Sequence, residues 1–176
     1  SKVGVIGCFI AGFLISNILS LLPVILIKQN FNTFEITITL SVLIFGNFCF
    51  QYPVGYISDK YDRRKVIQIL CLVGIIGYLY LALAYTTFNI LYLVATFIVG
   101  GCVYTIYPLS INFTCDQVSK NNTMKAILAL QLVFGAGSVF GPLLLSLVLK
   151  FLDPAVFFLT NAVVMGGFAI YVIHSR

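Results

Sequence analysis

The chain has 176 residues, of which 61% are hydrophobic and 9% charged, with a formal net charge of +5 and a mean hydropathy of +1.09. Soluble globular domains carry about 25% charged residues, so this composition excludes a water-soluble domain. Disorder is excluded as well, because disordered segments combine low hydrophobicity with high charge.

The ionised side chains divide the chain into uncharged runs that are long enough to cross a bilayer, which requires about 20 helical residues. The longest run, 66–115, requires a turn, and the polar cluster 85–89 is the best candidate for it. The apolar runs lack the alternation of a membrane β-barrel, so the prediction is an all-α, polytopic bundle. Its six transmembrane helices are predicted at about 3–27, 35–57, 65–84, 89–111, 125–149 and 155–173.

The distribution of lysine and arginine predicts the orientation of this bundle, because both are enriched in cytoplasmic loops. Six spans place both termini on one side of the membrane. That side carries Lys2, Lys60, Arg63, Arg64, Lys65, Lys120, Lys125 and Arg176, and the other side carries only Lys28 and Lys150. Both termini are therefore predicted to be cytoplasmic, in a multi-pass protein of the bacterial inner membrane. Anionic lipid explains the net charge better than nucleic acid, which we do not expect as a partner.

The cysteines are Cys8, Cys49, Cys71, Cys102 and Cys115, and their spacing matches no metal site or redox motif, so we expect small packing residues and no cofactor or metal. Ser1 is not a methionine. Either an initiator has been removed or the chain belongs to a longer protein.

The most specific motif lies between the second and third predicted helices, where residues 55–65 read GYISDKYDRRK. Gly55 would allow the end of the second helix to approach a neighbour closely. Asp59 would place a carboxylate at the membrane edge, where the amide-rich start of another helix can donate to it. Asp62 stands at the N-cap position of the third helix. A plain positive-inside loop would need the basic residues but not this order of glycine and aspartate.

These residues resemble the signature G-x-x-x-D-[RK]-x-G-[RK]-[RK] of the major facilitator superfamily, which occurs between helices 2 and 3 and more weakly between helices 8 and 9. The matching residues are Gly55, Asp59, Lys60, Arg63 and Arg64. Asp62 replaces the second glycine, and aspartate tolerates left-handed backbone better than most residues. The segments 51–55, 62–66, 4–8 and 135–142 resemble the YcaD-like branch, in its C-terminal half.

The resemblance implies one six-helix half of a twelve-helix transporter, with two inverted three-helix repeats that are not evident in the sequence itself. Family N-terminal halves often carry an arginine in the fourth helix, where this chain has Thr96, which favours the C-terminal half. The implied function is transport of a small molecule by alternating access. Asp59 and the basic residues would then help to close the cytoplasmic side against the other half.

In this family the first and fourth helices of each half line the cavity. The candidate cavity residues are Asn17, Ser20, Tyr104, Tyr107 and Gln131. Each has an alternative role, because small and amide side chains also pack between helices and tyrosines also form interface belts. In the fifth helix, Gly137, Gly141 and Pro142 predict close packing and a bend. The family's similar antiporter motif belongs to the N-terminal half, so antiport does not follow.

No predicted span has Asp, Glu, Lys, Arg or His near its centre, so if transport is proton-coupled, the coupling residue is expected in the other half. No nucleophile and base are placed for catalysis, so we do not expect an enzyme. The expected partners are the lipid bilayer, the other six-helix half and an unidentified small-molecule substrate. The alternatives are a half-size transporter that works as a homodimer, and a non-transporting sensor or assembly protein that reuses the fold.

Overall fold

The computed structural model describes residues 2–119 and 122–175, and Ser1, Lys120, Asn121 and Arg176 lie outside the described residues. Lys120 and Arg176, two of the basic residues that predict the orientation, are among these four. The described residues form six helices joined by short loops: α1 (Lys2–Lys28), α2 (Thr33–Lys60), α3 (Arg63–Ala84), α4 (Ile90–Cys115), α5 (Thr123–Leu149) and α6 (Ala155–His174).

Each predicted span corresponds to one of these helices, and the observed ends differ from the predicted ends by at most four residues. The turn within the long uncharged run lies between Ala84 and Ile90, as the polar cluster predicts. All six helices are long and apolar enough to cross a membrane. The all-α, polytopic fold class is confirmed.

The connection between α1 and α2 shows how local sequence ends one helix and starts the next. Asn30 adopts a left-handed conformation with φ 62°, and the Phe31 amide donates to the Leu26 carbonyl at 3.1 Å, which closes α1 in a Schellman motif. Asn32 then caps α2 in a capping box with Glu35. Asn30 thus helps to satisfy backbone carbonyl groups at the end of α1. Asn32 and Glu35 satisfy backbone amide groups at the start of α2.

The six helices do not contribute equally to the interior. Helix α1 packs mainly against α5, α2 against α4, and α3 against both α6 and α4, while α1 and α4 also meet. In the most apolar window of α2 and of α5 only 17% of residues are buried, compared with 44–56% in the other four helices. Helices α2 and α5 therefore flank a core formed by α1, α3, α4 and α6.

The crossing of α1 and α5 depends on two glycines that let the backbones touch. A Cβ atom on Gly12 would lie 2.1 Å from the Phe134 carbonyl oxygen, and one on Gly137 would lie 2.1 Å from that of Phe9. Either distance is shorter than a van der Waals contact. In lipid the hydrophobic effect does not drive helices together, because lipid tails are as apolar as the helix surface. Dispersion between such closely packed backbones is therefore a main source of helix association.

The crossing of α2 and α4 is built in the same way. A Cβ on Gly46 would lie 2.1 Å from the Phe97 oxygen, and one on Gly100 would lie 2.2 Å from that of Leu43. At both crossings each glycine meets the carbonyl three residues before its partner glycine. Residues 9–12 read FIAG and residues 97–100 read FIVG. This correspondence relates α1 to α4 and α5 to α2, which is the pattern of two inverted three-helix repeats.

Candidate functional site

The connection between α2 and α3 is organised around Arg63, the first residue of α3. Its Nη2 atom lies 2.8 Å from Asp59 Oδ1 at the end of α2, and its Nε atom lies 2.8 Å from Asp116 Oδ2 just after α4. The Arg63 side chain is 17% exposed, whereas those of Asp59 and Asp116 are 67% and 56% exposed. One guanidinium therefore joins three elements through charge-assisted hydrogen bonds.

Within the described residues, the donor to the Asp59 carboxylate is the Arg63 side chain. The predicted contact of this carboxylate with the amide-rich start of another helix stays a prediction. Asp62 is the N-cap of α3, as predicted, and accepts a hydrogen bond from the Arg64 amide at 3.0 Å. Its φ of −57° is not left-handed, so this turn does not require the glycine that the family signature has there.

Arg64 and Lys60 point away from the ion pairs. The Arg64 guanidinium donates to the Ser175 carbonyl beyond α6 and lies 5.3 Å from the centre of the Phe113 ring. Lys60 Nζ lies 4.3 Å from the centre of the Tyr56 ring. Arg64 thus ties α3 to α4 and α6, while Lys60 stays on its own helix.

A cleft of 340 Å³ surrounds the ion pairs and is lined by Asp59, Arg63 and Asp116 among others. Arg63 Nη1 is buried and has no hydrogen-bond partner among the described residues. Gly55, one turn before Asp59, has no atom within 4 Å of where its Cβ would lie. Among the described residues, no helix makes the close approach that Gly55 would allow.

The candidate cavity residues differ in how accessible they are. Ser20 and Gln131 are exposed, and Tyr104 and Tyr107 are half-buried against the core. The Tyr107 ring packs on Phe134 of α5, with 4.5 Å between the ring centres. Four of the five candidates are therefore partly or fully accessible.

Asn17, the fifth candidate, is fully buried inside the bundle. Its Nδ2 atom donates to Asn161 Oδ1 of α6 at 3.1 Å, and Asn161 Nδ2 donates to the Phe157 carbonyl. The oxygen of Asn17 is buried without a partner and would lie 3.0 Å from a Cβ on Gly141. In this conformation Asn17 faces α5 and α6, and a ligand at the surface does not reach it.

The predicted packing residues of α5 lie along α1. Gly137 and Gly141 are buried against the Phe9 and Phe13 carbonyls, and Pro142 lies inside the helix. Between the glycines, Ser138 accepts a hydrogen bond at its backbone oxygen from the Ser16 hydroxyl at 2.7 Å. This face of α5 is occupied by α1.

The sequence analysis does not predict two residues of this geometry, Asp116 and Asn161. Asp116 is the only acidic residue between Asp62 and Asp153, and it follows a helix that ends on the basic side of the bundle. That isolation is a signal that could have identified it as a partner for arginine. Asn161 carries no such signal, because a single amide in an apolar helix does not reveal which helix it faces.

Comparison with known protein families gives a match to the sequence of this chain. The sequence profile of the Major Facilitator Superfamily matches residues 4–175 of the chain. The chain belongs to the Major Facilitator Superfamily.

Superfamily relatives include the uncharacterized MFS-type transporter YcaD of Escherichia fergusonii, which is 30% identical over 142 residues, or 81% of this chain and 36% of the relative. The uncharacterized MFS-type transporter YE1530 of Yersinia enterocolitica is 28% identical over 150 residues, or 85% of this chain and 38% of the relative. The chain thus spans little more than a third of the length of these relatives, which corresponds to about one six-helix half. The resemblance to the YcaD-like branch is confirmed.

Solved structures of the same superfamily fold are also similar. The POT family transporter PepTSo superposes with a TM-score of 0.81 and 19% identity, over 98% of this chain and 36% of that chain. A proton dependent oligopeptide family transporter superposes with a TM-score of 0.79 and 21% identity, over 96% of this chain and 39% of that chain. At these identities the likeness shows the fold, and the six helices are those of a superfamily half.

Proposed function

We propose that this chain is the C-terminal six-helix half of a twelve-helix transporter that moves a small molecule across the bacterial inner membrane by alternating access. The superfamily match and the one-third coverage of the relatives support a half. The C-terminal assignment is favoured by Thr96, which stands where family N-terminal halves often have arginine. Helices α2 and α5 expose long apolar faces that lipid and the other half would cover.

The observation that carries the proposal is an exposed carboxylate next to an uncovered glycine at the α2–α3 connection. Asp59 is two-thirds exposed although it is ion-paired, and no atom of the described residues lies within 4 Å of a Cβ on Gly55. A helix of the other half that packs at Gly55 would reach the exposed Asp59 carboxylate one turn further along α2. This contact would form in the state whose cytoplasmic side is closed and would break in the opposite state.

The substrate side of the proposal rests on the accessible polar residues. Ser20, Tyr107 and Gln131 offer hydroxyl and amide groups, and the spans carry no lysine or arginine near their centres. A neutral or amphipathic small molecule fits such a wall better than an anion. A proton-coupling residue, if transport uses one, would lie in the other half.

Replacement of Asp59 by asparagine tests the gate. We expect Asp59→Asn to reduce flux about tenfold at equal membrane abundance, since losing one charge-assisted hydrogen bond costs about 1.5 kcal/mol or more in one conformer. The measurement is uptake of radiolabelled neutral and amphipathic compounds by proteoliposomes that contain the whole native protein.

Asp62→Asn is the matched control, because it removes the same charge three residues away and asparagine caps a helix as well as aspartate does. It should transport like the wild type. Wild-type flux through Asp59→Asn would contradict the gate role. Absence of flux for every compound in the wild type would favour a non-transporting protein.

A further inference from the structure

The bundle end opposite to the α2–α3 connection has a cleft of 370 Å³ between α1, α5 and the start of α6. Lys28, the last residue of α1, and Lys150, the residue after α5, both line it. Most of the remaining wall is apolar and includes Leu21, Val24 and Leu149. The cleft therefore combines a cationic rim with walls that match hydrocarbon.

The two lysines are the only basic residues that the topology assigns to this end of the bundle. They are 122 positions apart in the chain, yet they meet in one cleft. Within residues 2–119 and 122–175, the ion pairs involve Arg63 and neither of these lysines. Two positive charges therefore share an apolar site without a carboxylate partner in the described chain.

The acidic residues at the same end are engaged elsewhere. Glu35 accepts the Asn32 amide at 2.8 Å in the capping box of α2. Asp153 accepts a hydrogen bond from the Tyr85 hydroxyl at 3.2 Å. Desolvation, together with the charge and the hydrogen bond of Asp153, raises the pKa of Tyr85. Both carboxylates keep their charge, but within the described residues neither forms an ion pair with Lys28 or Lys150.

The helix ends at the cleft do not neutralise the lysines. Helices α1 and α5 end here, and each C-terminus carries roughly half a negative charge, so together they offset about one of the two positive charges. Helix α6 begins here and adds roughly half a positive charge. Its N-cap, Pro154, lines the cleft and has no side-chain hydrogen bond to the first turn. Asp153, between the lining residues Leu152 and Pro154, adds one negative charge, so the cleft keeps a small net positive charge.

We propose that this cleft binds an anionic phospholipid, with the phosphate between Lys28 and Lys150 and the acyl chains along the apolar walls of α1 and α5. The lysines stand at the ends of membrane-spanning helices, which is the depth of lipid head groups. A small soluble anion would use the lysines but would gain nothing from the apolar walls. Charge and hydrophobic contact together therefore select a lipid.

Native mass spectrometry of the whole native protein in detergent tests this site, with titration by phosphatidylglycerol and by phosphatidylcholine. We expect tighter binding of phosphatidylglycerol. Each lysine near an anionic head group contributes about a fivefold effect, so Lys28→Gln combined with Lys150→Gln should weaken phosphatidylglycerol binding on the order of 30-fold. Each single variant should weaken it about fivefold.

Two paired variants serve as controls. Lys28→Arg with Lys150→Arg keeps both charges and should retain binding. Lys65→Gln with Lys125→Gln removes two exposed lysines from the opposite end and should also retain it.

Equal affinity for the two lipids would overturn the proposal, as would unchanged phosphatidylglycerol binding in the single and double glutamine variants. Inorganic phosphate is the third probe. If millimolar phosphate displaced the lipid completely, the site would be one for a small soluble anion, and the proposal would be wrong. The outcome is independent of transport, so it does not depend on the gate experiment.

Discussion

At the scale of single residues, the two adjacent arginines at the start of α3 have different tasks. Successive helical residues point about 100° apart, so Arg63 and Arg64 face different neighbours. Arg63 joins Asp59 and Asp116, while Arg64 joins Phe113 and Ser175. A positive-inside loop needs only the charge, whereas this pair also holds the ends of α2, α4 and α6 around α3.

The Arg63–Asp116 pair should limit local opening of the α2–α3 connection. Asp116→Asn removes one charge from an ion pair that is partly exposed, which is worth at most about 1 kcal/mol. We therefore expect backbone amides in 59–65 to exchange about two- to fivefold faster, as measured by hydrogen–deuterium exchange in detergent.

Asp153→Asn removes a carboxylate at the other end of the bundle and serves as the control for that experiment. It should leave exchange in 59–65 unchanged and affect only the loop that contains Tyr85. Identical exchange in Asp116→Asn and the wild type would show that the ion pair does not restrain the connection.

At the scale of helices, the two close crossings explain how a flat, apolar helix surface finds a specific partner. In lipid all apolar faces are equivalent, so shape and backbone contact decide which helices associate. Glycines at the α1–α5 and α2–α4 crossings allow contact at the same three-residue offset. The two three-helix repeats thus share their packing geometry more clearly than their residue identities.

Two neighbouring glycines of α5, Gly135 and Gly137, allow a direct test of this packing. A Cβ on Gly137 collides with a backbone oxygen, whereas one on Gly135 meets nothing within 4 Å. We expect Gly137→Ala to lower the free energy of unfolding, because overpacking by about 1–3 kcal/mol outweighs the roughly 1 kcal/mol of helix propensity that alanine adds. Gly135→Ala gains only the propensity and should be as stable as the wild type or more so.

Unfolding by sodium dodecyl sulfate, followed by circular dichroism, measures both variants in the same detergent. Equal stability of the two alanine variants would mean that the α1–α5 contact does not contribute to folding.

At the scale of the whole molecule, charge and packing divide the bundle into two unlike ends. One end holds the Arg63 ion pairs and most of the basic residues, and the other holds two lysines in an apolar cleft. Between them, none of the six helices has Asp, Glu, Lys, Arg or His near its centre, since a charge there would cost several kcal/mol. The predicted orientation follows from this difference.

Labelling of single thiols tests the orientation. Tyr61 and Phe151 are 69% and 80% exposed and lie at opposite ends of the bundle. Tyr61→Cys should react with a membrane-impermeant maleimide only in inside-out vesicles, and Phe151→Cys only in right-side-out vesicles. Within this chain only Cys49 and Cys115 need replacement beforehand, because the other three cysteines are fully buried. The reverse pattern would place the α2–α3 connection outside the cell and contradict the gate proposal.

The number and class of helices, and most of their ends, followed from the sequence alone, because lipid sorts charged residues from apolar ones along the chain. The N-cap at Asp62 and the turn near residue 85 followed from local rules for the same reason. The motif residues stand out in the sequence, since their order departs from what a merely basic loop requires, and their gate role stays a prediction.

Only the tertiary structure decided which side chains meet. Asp116 joined Arg63 across more than 50 positions, Asn17 turned towards Asn161 and away from the surface, and two distant lysines shared one cleft. Such pairings depend on how each helix is rotated about its axis. A uniformly apolar helix has no amphipathic stripe from which that rotation can be read, so backbone packing at the glycine crossings determines it.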